Sequence, residues 1–104
     1  MKKTVVALTA AVALMSGAAF AAGDAAAGKS TFGSSCASCH GMNGEGAGIF
    51  PKLAGLSAAD AADKLKKYKA GEQVGPNTAM MAPMASGLSD ADIENLAAHI
   101  ATLK

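Results

Sequence analysis

The sequence predicts a small all-α domain of three to five helices. Two observations carry that prediction. Apolar residues recur at helical spacing in two stretches, first Ala61, Leu65 and Tyr68, then Ile93, Leu96, Ala97, Ile100 and Leu103. Each stretch, and a shorter one that starts at Ala25, follows a residue that caps helix N-termini: Ser57, Ser89 and Asp24.

Residues 1–21 read as a cleaved secretory signal peptide. Lys2 and Lys3 give a positive start, Val5 to Met15 is a short apolar run, and Ala19-Phe20-Ala21 is a small-x-small cleavage site. Cleavage after Ala21 leaves one domain, residues 22–104. The apolar run is too short for a comfortable membrane span, so no stable membrane insertion is expected after its removal. The predicted compartment is the bacterial periplasm, which is oxidising.

Within that domain, Asp24 caps a short helix over Ala25–Phe32. Gly28 and Phe32 share one face of it, and Gly33 is expected to end it. Four glycines between Gly41 and Gly48 predict a loop, and Ile49 to Leu53 is a short extended stretch bent by Pro51. Ser57 with Asp60 resembles a capping box and opens a helix that closes at Gly71. Val74 to Gly87 has no period, two prolines and three methionines, and reads as a structured loop. The last helix has the strongest start signal: Ser89 at the cap, Asp92 three residues on, and Leu88 with Ile93 as a hydrophobic staple. Asp90 and Asp92 at its start and Lys104 at the end of the chain suit the helix dipole.

The decisive motif lies between the first two helices: Cys36-Ala37-Ser38-Cys39-His40. C-x-x-C-H is the attachment signature of c-type haem. Two thiols three apart on a helical turn can each bond one vinyl group of the same porphyrin, and the next imidazole then falls under the iron. There is one such motif, hence one haem c. A thioredoxin-like dithiol normally follows a strand in a βαβ pattern, and a structural zinc site needs a fourth ligand at suitable spacing; neither is evident. Haem also answers a shortage of core. A domain this short, with no Trp and one Tyr, is near the lower limit for a stable hydrophobic interior. The haem-free protein is therefore expected to be poorly folded.

A second axial ligand must come from distant sequence. Met80, Met81, Met84 and His99 are candidates, whereas Met42 stands too close to His40 to reach the other face. Methionine opposite histidine raises haem potential. Pro51 has two readings: its carbonyl accepts the other His40 nitrogen proton, or it only shapes the loop. Charge is uninformative about catalysis and argues against nucleic-acid binding. All nine basic residues are lysine; without Lys2 and Lys3, seven face eight acids, and no basic stripe interleaves with aromatics. The run Lys64, Lys66, Lys67 and Lys69 reads either as a docking patch or as a solvated helix face.

On these residues the chain resembles class I c-type cytochromes, most of all the small bacterial c-553 kind and single halves of the dihaem periplasmic cytochromes. The likeness runs through Ala22 to Gly28, Cys36 to Gly41, Phe50-Pro51-Lys52-Leu53-Ala54-Gly55, and Leu88-Ser89-Asp90 with Leu96-Ala97-Ala98. It implies a cytochrome c fold around one covalent haem, with Cys36, Cys39, His40, Pro51 and Leu53 in the haem site. It also implies an axial methionine eight positions before Ser89, which is Met81, with Met80 next in line and Met84 as packing. First and last helices are implied to cross at Gly28, with Phe32 near Leu96 and Ile100. The chain departs from the pattern at His99, where relatives commonly carry an aromatic residue.

The function implied is one-electron transfer in the periplasm between redox protein partners such as an oxidase, a reductase or a quinol-oxidising complex, without enzymatic activity. Two other readings fit the motif: a haem enzyme or gas sensor with an open sixth position, and the electron-input subunit of a larger oxidoreductase.

Overall fold

The computed structural model describes residues 23–104; the signal-peptide segment lies outside them. Five helices follow in order: α1 (Ala25–Ser35), α2 (Ala37–His40), α3 (Ala58–Lys69), α4 (Thr78–Ser86) and α5 (Asp90–Ile100). No strand occurs among the described residues beyond an isolated bridge between Ala47 and Phe50.

The starts of α1, α3 and α5 are fixed by side chains. Asp24 accepts from the N–H groups of Ala26 and Ala27, and Ser57 accepts from that of Asp60. Ser89 and Asp92 exchange both bonds of a full capping box, each 3.0 Å. Such caps contribute about 1 kcal/mol each. At Ser57 only half the box forms, because Asp60 does not return a bond to the Ser57 backbone.

The core sits where α1, α3 and α5 meet. Phe32, Ile93 and Leu96 are fully buried there, with Ala61, Leu65 and Ile100 around them. Gly28 sets the spacing of α1 and α5. A Cβ at that position would collide with the Asn95 carbonyl, so no other residue lets the two backbones approach this closely. Asn95 also accepts from the Asp24 N–H through Oδ1 at 2.7 Å, which ties the start of α1 to α5. Lys66–Glu94 at 3.2 Å and Lys69–Asp90 at 3.6 Å link α3 to α5 at the surface, and Lys67–Asp63 at 3.2 Å lies within α3. Exposed pairs of this kind add little stability. They do show that three of the four α3 lysines have acidic partners, which leaves little of a free basic patch.

Two expectations are corrected. First, α1 does not stop at Gly33. It runs to Ser35, and the Cys36 N–H still donates to Phe32 O at 2.8 Å. Gly33 is exposed and lacks the left-handed φ of a C-cap glycine, so it is simply an interior residue of a helix held by packing against α5. Second, the predicted loop over Val74–Gly87 contains α4. Its residues are apolar almost all round, so no stripe marks it as helical. Thr78 anchors its start: the hydroxyl accepts from the N–H groups of Val74 and Gly75 and donates to the Gly75 carbonyl. Pro83 removes one backbone bond within it, a cost that burial of Thr78 and Ala85 helps to offset.

Candidate haem site

A cavity of about 460 Å³ opens between α2 and α4. Cys36, Cys39 and His40 line it, as do Pro51 and Leu53, and so do Met80, Met81 and Met84 from α4. Its remaining wall is mostly apolar, with Leu56, Leu65, Leu96 and Ile100. Residues from α2, α3, α4, α5 and the segment around Pro51 therefore face one space. A flat, largely apolar cofactor with two thiol-reactive positions and a metal fits that inventory: thiols and an imidazole come from α2 and its N-cap Cys36, thioethers from α4, and apolar side chains between them.

The histidine is oriented by its neighbours. His40 is buried, and its Nδ1 lies 2.9 Å from the Pro51 carbonyl oxygen. A carbonyl only accepts, so Nδ1 carries a proton, and in the neutral ring Nε2 is then the nitrogen with the lone pair. The Phe50 ring stands edge-on to the imidazole at 6.3 Å between centroids. The turn that supports Pro51 depends on Gly46, with φ 71° and its N–H donating to His40 O at 2.7 Å. A Cβ on Gly46 would come 2.5 Å from Phe50 O. Nothing in the composition of the glycine loop distinguishes this glycine from its neighbours; only the folded proximity of residues 46 and 50–51 does.

The two cysteines are not joined to each other. Cys36 is half-buried, and burial, with the nearby Cys39, pushes its thiol up to about 11. A dithiol oxidoreductase needs the reverse, a thiolate stabilised near neutrality. Among the described residues no three His, Cys, Asp or Glu side chains form a metal-binding group.

Met81 is half-buried and packs against the main core, whereas Met80 and Met84 are each about half exposed. Met42 is exposed and faces away from the cavity, beside a separate surface cleft.

His99 is not in the cavity. It is buried between α1 and α5, with its ring edge-on to Phe32 at 5.1 Å between centroids. It fills an aromatic-sized position, so the first and last helices pack closely with a histidine in the seam. Burial, then the charge of Lys29, lowers its pKa below the usual histidine value. The fold thus favours the neutral ring. That stabilisation is complete above the unfolded pKa of about 6.5 and is lost as the pH falls through the lowered folded value. In thermal melts between about pH 7.5 and pH 5, the His99→Phe holoprotein should lose less stability than the parent. Equal slopes would contradict this account of the seam.

Comparison with known proteins places these features in context. The family model for cytochrome c matches residues 25–104. Cytochrome c-554(547) of Halothiobacillus neapolitanus is 52% identical over 91 residues, covering 80% of this chain and 100% of that protein. Cytochrome c-554(548) of Halomonas halodenitrificans is 49% identical over 79 residues, covering 75% and 94%. Cytochrome c4 of Stutzerimonas stutzeri is 39% identical over 97 residues, covering 86% of this chain and 46% of that longer protein.

Proposed function

Since this chain belongs to the cytochrome c family and is a haem-bearing electron carrier, we propose that it shuttles single electrons between redox proteins of the periplasm, with the haem held by Cys36 and Cys39 and the iron between His40 and Met81. Covalently bound haem c supplies the ferrous–ferric couple. The Cys36 and Cys39 sulfurs anchor it as thioethers. His40 presents the Nε2 lone pair, and the Pro51 carbonyl fixes both tautomer and ring plane from the other side. Met81 supplies a thioether from α4 and is steadied by its packing on the core. The apolar wall disfavours the extra positive charge of the oxidised state and raises the potential.

The observation that carries this reading is the His40–Pro51 hydrogen bond at the edge of a cavity that three methionines also line. That bond occupies Nδ1 and leaves Nε2 as the ring nitrogen that could meet an iron. Periplasmic location is supported by Lys2, Lys3, the apolar run and the Ala19-Phe20-Ala21 site. No described helix is long and apolar enough to cross a membrane. Redox partners would dock weakly and over a small area, as suits rapid turnover.

Carbon monoxide tests the ligation. Added to the reduced protein at neutral pH, it should bind slowly or not at all. Rapid, complete binding would mean an open sixth position and would favour a haem enzyme or gas sensor.

A further inference from the structure

The charges around the haem cavity are of one sign. Lys52 and Lys64 line it, and no Asp or Glu does. The other lysines of α3 are committed elsewhere, to Glu94, Asp63 and Asp90. Among the described residues, neither Lys52 nor Lys64 has an acidic partner. Tyr68 stands one helical turn beyond Lys64, is half-buried and lines the same cavity. Its hydroxyl makes no hydrogen bond within the described residues.

Haem carries two propionates on the edge of the macrocycle opposite its two vinyl positions. With the vinyl edge attached at Cys36 and Cys39, both carboxylates would lie toward the opposite side of the cavity. A carboxylate against apolar walls is strongly disfavoured unless a cation or donor meets it. Two cations without acidic partners and one hydroxyl without a hydrogen bond thus line the cavity that two anions would enter.

We propose that Lys52 and Lys64 are the counterions of the two haem propionates, with the Tyr68 O–H donating to the carboxylate that Lys64 holds. The proposal rests on attachment at Cys36 and Cys39. Paired in this way, both carboxylates stay ionised and neutralised, so the potential is nearly flat with pH around neutrality. A propionate stripped of its lysine has a higher pKa. Its exposed negative charge near the iron favours the oxidised state.

The test is the midpoint potential of haem-loaded Lys52→Gln, Lys64→Gln, Lys64→Arg and Lys67→Gln proteins, measured by spectroelectrochemistry across neutral pH. Lys52→Gln and Lys64→Gln should each lower the equilibrium constant for reduction by roughly three- to tenfold, which for one electron is about 30 to 60 mV. Each should also bring a pH-dependent step into the profile. Lys64→Arg should retain the parental profile, and Lys67→Gln, whose lysine already pairs with Asp63, should do so as well. Parental potentials and profiles in both glutamine variants would overturn the proposal. So would a Lys67→Gln shift as large as that of Lys64→Gln, which would reduce the effect to net charge. Failure of the attachment reading would look different: the unsubstituted protein would carry no covalent haem.

Discussion

The Cys36→Ser, Cys39→Ser double variant, prepared without haem, should show no cooperative thermal transition by circular dichroism. The reason lies in how little core the polypeptide has of its own. Among the described residues, Phe32, Ile93 and Leu96 are the largest fully buried side chains, and alanines make up much of the rest. The cavity of about 460 Å³ opens directly onto Leu53, Leu56, Leu65 and Ile100. Without haem these apolar side chains face an open space that water can enter, and the burial that would stabilise the fold is lost. A domain of this size has a total stability of only about 5–15 kcal/mol. The haem-loaded parent should melt sharply. A sharp transition in the haem-free double variant, near that of the parent, would show that α1, α3 and α5 suffice and that the haem is not part of the core.

The second large effect concerns the axial thioether. Met81→Ala should abolish the far-red sulfur-to-iron charge-transfer band of the oxidised protein and lower the potential on the order of 0.1 V or more, given that axial ligands move haem potentials over about 0.8 V. Met80→Ala and Met84→Ala should keep the band. All three methionines line the cavity, so lining alone does not choose among them. Packing does: Met81 rests on the core, while Met80 and Met84 are about half exposed and freer to move. A thioether is a weak neutral donor, and its binding depends on being held in place rather than on charge. If Met80→Ala removes the band and Met81→Ala does not, the register of α4 against the haem is one residue from that proposed.

What the sequence made legible follows from where each signal is encoded. Asp24, Ser57 and Ser89 act on N–H groups two or three residues away, so the starts of α1, α3 and α5 are written locally. The five residues from Cys36 to His40 are equally local. By contrast, α4 is apolar nearly all round because one side faces core and the other a cofactor cavity, and an unstriped apolar run with two prolines nearby looks like a loop. His99 sits at the margin of an apolar stripe. Its partner Phe32 is distant in sequence, so only the folded helix pair reveals it as a seam residue rather than a ligand. The roles of Gly46 and Lys64 have the same character. One supports the Pro51 turn and the other borders the cavity, and both depend on contacts between separate segments.

The claim on which all of this depends is a haem bonded to Cys36 and Cys39. It is tested most directly by mass spectrometry of the mature protein from its native host, denatured and cleaved after lysine. Cleavage after Lys29 and Lys52 releases Ser30–Lys52, which contains both cysteines and His40. That peptide should carry the added mass of one haem through denaturation. A bare peptide, or one bearing only a Cys36–Cys39 disulfide, would contradict the account.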